Sequence, residues 1–115
     1  MDTAEQAVST LLAPPRPTTD VRGEDPAGIE RLPGFTRTAF ARDGDRLKVS
    51  WVGAAPPAQV AAYYMEQLGA AGYQTRVLAA NAQAETLEFE SPQRKLTLAV
   101  RGDGRGGSEL DWEVR

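Results

Sequence analysis

The sequence predicts an α+β domain: an antiparallel sheet in β-β-α-β-β-β order packed on one main helix. Three observations predict it. Residues 46–52 alternate Leu47, Val49 and Trp51 with Lys48 and Ser50, the period of a strand with one buried face. Residues 57–71 change to a helical spacing, with Val60, Tyr64, Leu68 and Ala71 on one stripe. After Gly72 short apolar–polar alternations return, separated by turn-forming residues.

Residues 35–42 and 46–52 read as a hairpin around Asp43-Gly44, a pair suited to a two-residue type I′ turn. Such a turn sets Arg42 opposite Asp45, Phe40 opposite Leu47, Thr38 opposite Val49 and Thr36 opposite Trp51. Pro56-Pro57 opens the helix, because the first turn has amide groups without intrahelical acceptors and loses nothing to proline. Tyr63 and Met65 border the apolar stripe, Gly72 suits the left-handed position after the helix, and Tyr73 can fold back on the last turn. Residues 73–80 form a third strand and 81–84 a turn. Residues 85–90 and 95–101 make a second hairpin across Ser91-Pro92-Gln93-Arg94, with Phe89 facing Leu96, Leu87 facing Leu98 and Glu90 facing Lys95. A glycine-rich loop at 102–107 leads to a last strand at 108–114, with Leu110, Trp112 and Val114 inward.

Upstream, residues 1–34 read as an N-terminal arm and proline-rich linker, with a short helix at 3–12 capped by Thr3. Pro14, Pro15 and Pro17 stiffen the linker, and Pro26, Gly28, Pro33 and Gly34 break any regular element. A single folded domain is expected over 35–115. One helix is about 10–12 Å wide and strands lie about 4.8 Å apart, so it shields two or three strands of six. The rest of the apolar face must be closed by curling of the sheet, by the arm, or by a partner chain.

Composition removes several chemistries. Among 115 residues there is no histidine and no cysteine, which excludes imidazole and thiolate catalysis, disulfides and the common zinc sites. The net charge of −3, with no basic stripe, speaks against nucleic acid as a partner. No apolar run reaches the length of a membrane span, and Asp2 and Glu5 stand where a signal peptide would carry positive charge. As written the chain reads as soluble and cytoplasmic; a piece cut from a longer precursor would read the same way.

Gly102-Asp103-Gly104-Arg105-Gly106-Gly107 matches G-x-G-x-x-G in letters, but a strand follows it where a dinucleotide site needs a helix. It reads as a hairpin loop, and no cofactor is expected. Glu85, Glu88, Glu90, Glu109, Asp111 and Glu113 resemble a metal or carboxylate-pair set. All but Glu85 alternate with inward apolar residues and fall on the outer face, where Arg101 can pair with Glu109. Asp43-Gly44-Asp45 lacks the later ligands of a calcium loop and is a turn. No catalytic or metal-ligating residue results. The candidate ligand or partner contacts are Tyr63, Tyr64, Trp51 and Trp112, aromatics that serve either as core or as the lining of a pocket.

The helix carries a resemblance. Val60, Tyr63, Tyr64, Leu68, Gly72 and Tyr73 stand in a V-x-x-[FY]-Y-x-x-x-L-x-x-x-G-[WY] pattern, preceded upstream by Pro33-Gly34 before the first strand. Over residues 26–100 this resembles small uncharacterised bacterial α+β domains of the envelope and lipoprotein type. The resemblance implies an extracytoplasmic setting and carries no catalytic residue. The function expected from the sequence is a non-enzymatic binding or assembly module whose open sheet face meets a protein partner or a second copy. The alternative is a small-molecule-binding domain with an aromatic pocket between helix and sheet.

Overall fold

The computed structural model describes residues 15–81 and 83–115; the expected helix at 3–12 lies outside the described residues. Six strands form one antiparallel sheet: β1 (Thr36–Asp43), β2 (Arg46–Gly53), β3 (Gln74–Ala80), β4 (Ala84–Ser91), β5 (Arg94–Gly102) and β6 (Ser108–Val114). Helix α1 (Pro57–Ala70) is inserted between β2 and β3, and the spatial order is β1-β2-β6-β5-β4-β3. The α+β class and the element order are those the sequence predicts.

The ends of α1 follow from local chemistry. Pro56 is the N-cap, with an extended backbone and Pro57 behind it. At the other end the Tyr73 amide donates to the Leu68 carbonyl at 2.9 Å and the Gly72 amide to the Gly69 carbonyl at 3.1 Å. Gly72 takes φ of 95°, so the pair forms a Schellman motif that only glycine enters without strain. Val60, Ala61, Tyr64 and Leu68 are buried, whereas Ala71, expected on the same stripe, is exposed just past the helix.

Pairing in the second hairpin matches expectation: Phe89 faces Leu96, Leu87 faces Leu98 and Glu90 faces Lys95. The first hairpin corrects its expected register. Arg42 faces Leu47 and Phe40 faces Val49, so the turn is centred on Gly44-Asp45 rather than Asp43-Gly44. Gly44 has φ of 59°, and no non-glycine residue among those described has positive φ, which rules out type I′ and fits a turn with glycine first. A bulge between Arg37 and Ala39 then brings Arg37 opposite Trp51.

One apolar row crosses the whole sheet: Phe40, Val49, Trp112, Leu98, Leu87 and Val77. α1 packs over the β3, β4 and β5 side of that face. The β1 and β2 side is closed by the upstream segment, and the core therefore begins earlier than the expected start near Phe35. Pro26, Ile29, Leu32 and Phe35 are all buried, and the Phe35 ring lies against Gly53, where a β-carbon would fall 2.3 Å from it. The expected open apolar face is thus largely covered within the chain. What stays bare is β3, exposed along its length, with Val77 and Leu78 about half exposed.

Candidate functional site

Residues 15–35 form a strap around the β1 edge, held by ion pairs. The Arg16 Nε donates to Asp103 Oδ2 at 2.6 Å. Arg31 grips Asp20 with both terminal nitrogens at 2.8 Å and reaches Asp25 Oδ2 with its Nε at 2.8 Å. The Asp25 Oδ1 accepts from Arg37 Nη1 at 2.9 Å and from the Trp51 indole Nε1 at 3.0 Å. The Arg31 guanidinium also stands 6.0 Å from the centre of the Trp51 ring. The hydrogen bond from Arg31, joined by the backbone amide of Arg37, holds the Asp20 carboxyl far below its ordinary range. The same bond to Asp20 pushes Arg31 up.

Against this strap lies a partly enclosed cleft of about 320 Å³. Loop 28–30 forms one wall, and Tyr63, Tyr64, Gln67 and Leu68 of the second half of α1, with Ala71 just past its end, form the other. The Tyr64 hydroxyl ties the walls together by donating to the Glu30 carbonyl at 2.7 Å. Burial pushes the Tyr64 phenol well above its usual pKa, while a backbone hydrogen bond with Leu32 pulls the other way. It is therefore a neutral hydrogen-bond donor at any physiological pH. Gly28, at the start of that wall, has φ of 77°, a left-handed state that glycine enters without strain.

The four aromatics expected at a binding site separate into two groups. Trp51 and Trp112 are 0% and 1% exposed and face each other edge-on at 5.7 Å. Tyr64 stacks edge-on to Trp112 at 5.0 Å, so the space between helix and sheet where a pocket was expected is filled by rings. Tyr63 and Tyr64 do line a cavity, but on the opposite side, toward the strap. The indole Nε1 of Trp112 is buried without a hydrogen-bond partner among the described residues. Gly28, Ile29, Glu30 and Gln67 were not singled out from sequence, since nothing in the pattern around Gly28 marks a wall.

The acids sit mainly where alternation puts them. Arg101 bridges Glu109 at 2.8 Å and Asp111, Ser50 Oγ donates to Asp111 at 2.6 Å, and Glu88 lies between Arg76 and Lys95. Glu85 is the exception: register places it beside Val100 on the apolar face, with Oε2 buried and no partner among the described residues. Among the described residues no three acids converge as a metal-holding group. The 102–107 loop is a closed hairpin connection in which Asp103 Oδ1 accepts from the amides of Arg105 and Gly107. Among the described residues no helix is long and apolar enough to cross a membrane.

A family described as START domain-like matches residues 36–107, from the first residue of β1 to the loop before β6. The chain belongs to the START domain-like family. No curated protein and no solved structure matches it. The START-like stretch includes α1 and hence one wall of the cleft, while loop 28–30 lies upstream of the match. Membership points to a fold of ligand-binding domains, and the cleft against α1 is compatible with a binding module.

Proposed function

We propose that this START-like domain is a non-enzymatic binding module that takes a small molecule in the cleft between α1 and loop 28–30. The observation that carries the reading is the cleft itself. It joins apolar surface from Ile29 and Leu68 to the polar groups of Tyr63, Gln67 and Glu30, the mixture that both holds and orients a small ligand. Its volume of about 320 Å³ lies at the lower end of the range for small-molecule sites. The absence of histidine and cysteine from the sequence supports binding over catalysis.

The test is a fragment titration of the ¹⁵N-labelled chain. Shifts concentrated on the amides of Ile29, Gln67, Leu68 and Ala71 are expected. Binders that perturb only residues remote from α1 would refute the reading.

A second reading, assembly with a protein partner or a second copy, is favoured by the bare edge strand β3 with Val77 and Leu78 exposed. Size-exclusion chromatography with light scattering checks it. Association that disappears in Val77→Lys/Leu78→Lys supports it, and a monomer at high concentration removes it.

A further inference from the structure

The electrostatics of the cleft carry the reading a step further. Among the described residues Glu30 is the only charged one that lines it, and neither wall carries lysine or arginine. The helical wall is the end of α1, where the peptide dipoles sum to partial negative charge, and no basic residue stands in the last turn to offset it. The Tyr63 ring meets Tyr64 edge-on at 5.0 Å and is half-buried, which leaves part of an electron-rich ring at the cleft. Cations whose contacts bracket loop 28–30 are committed: Arg31 to Asp20 and Asp25, Arg94 to the Ala27 carbonyl. The acidic residue Glu30, a helix C-terminus and phenol rings around one hollow all attract the same partner and disfavour an anion.

From this juxtaposition we infer that the ligand of the cleft is a small organic cation, an amine or quaternary ammonium, whose apolar part rests on Ile29 and Leu68. The inference rests on the binding reading above and adds the charge class of the ligand. An ammonium beside Glu30 and Tyr63 gains a screened ion pair and a cation–π contact, which together favour it over a neutral molecule of the same shape by roughly three- to thirtyfold.

The experiment titrates the full chain with three probes of nearly identical shape: choline, neutral 3,3-dimethyl-1-butanol, and anionic 3,3-dimethylbutyrate. Binding is followed through the amides of Gln67, Leu68 and Ala71. The expected order is choline tightest, the alcohol weaker by roughly three- to thirtyfold, and the anion weakest. Glu30→Gln should remove most of the difference between choline and the alcohol, by weakening choline more than the alcohol. Tyr63→Leu should weaken choline by roughly two- to fivefold, in line with loss of one exposed cation–π contact. If the alcohol or the anion binds the cleft as tightly as choline, the cation inference falls and the binding reading stands. If none of the three moves the cleft amides, both fall.

Discussion

Asp25 is the residue on which the strap turns, and replacing it separates two contributions. Its Oδ1 accepts the indole N–H of Trp51, a side chain with no solvent exposure, and the Arg37 guanidinium; its Oδ2 accepts from Arg31. Asp25→Ala leaves the indole N–H buried without an acceptor, at a cost of about 1–3 kcal/mol. It also removes the partner of Arg37, whose side chain is 11% exposed, although Arg37 keeps the Val21 carbonyl and Arg31 keeps Asp20. Together the expected destabilisation is about 2–4 kcal/mol, a large share of the stability of a small domain. Asp25→Asn retains an oxygen for the indole but loses the charge and sets its amide NH2 against Arg31, which keeps Asp20, so about 1–2 kcal/mol is expected. Urea unfolding followed by tryptophan fluorescence measures both, and the indole ¹H–¹⁵N resonance of Trp51 reports its hydrogen bond directly. A loss below about 0.5 kcal/mol for Asp25→Ala, within the range of ordinary surface substitutions, would refute the reasoning. So would equal losses for the two variants, because the indole bond would then contribute nothing.

Other consequences follow from the same packing. Ile29→Ala and Leu32→Ala should each cost about 2–3 kcal/mol in urea unfolding, since both side chains belong to the core despite their place in a breaker-rich segment. Gly53→Ala should cost about 1–3 kcal/mol by thermal unfolding, because its β-carbon would collide with the Phe35 ring and the strap would have to shift. The pairing with Arg16, helped by the amides of Arg105 and Gly107, lowers the Asp103 carboxyl from 3.8 to about 2. Its folded-state value is depressed, so its contribution is full above the unfolded value near 4 and is lost as pH falls toward 2. Unfolding free energies measured from pH 5 to pH 2 should fall more steeply in the native chain than in Asp103→Asn.

Strand positions were legible because each inward side chain recurs at every second residue, and the alternation of Leu47, Val49 and Trp51 admits one reading. The turn of the first hairpin was not. Moving it from Asp43-Gly44 to Gly44-Asp45 displaces the partners of residues 39–42 by two, before the bulge takes one back at Arg37 and Thr36, and a displacement of two leaves each side chain on its original face. Hydrophobic pattern cannot distinguish two such registers. The deciding contacts are distant in sequence, among them Phe40 against Gly23, where even a β-carbon would fall 2.4 Å from the ring. The strap escaped notice for a related reason. Ile29, Leu32 and Phe35 are isolated apolar residues among Pro26, Gly28, Pro33 and Gly34, so they carry no period and are buried by tertiary contacts alone. Tyr63 and Tyr64 were identified from their place on the helix, but sequence indicated the side toward Trp51 and Trp112. The edge-on packing of Tyr64 on Trp112 fills that side and leaves the cleft facing the strap.

This placement ties the proposed ligand site to the strap's ion pairs. Loop 28–30 has no regular structure of its own. Asp20 and Asp25 fix Arg31 immediately after it, Arg94 holds the Ala27 carbonyl immediately before it, and the Tyr64 hydroxyl holds Glu30 within it. The wall that contains Glu30 is therefore positioned by charges that stand outside the cleft, while the opposite wall is fixed by the buried face of α1. Loosening the first set should open the cleft without unfolding the helix. An Asp20→Asn chain, in which the exposed grip on Arg31 is weakened but Asp25 still caps Trp51, should accordingly keep its fold and bind choline more weakly. Since α1 lies within the START-like stretch and loop 28–30 lies upstream of it, the walls of the proposed site come as much from the strap as from the part that defines the family.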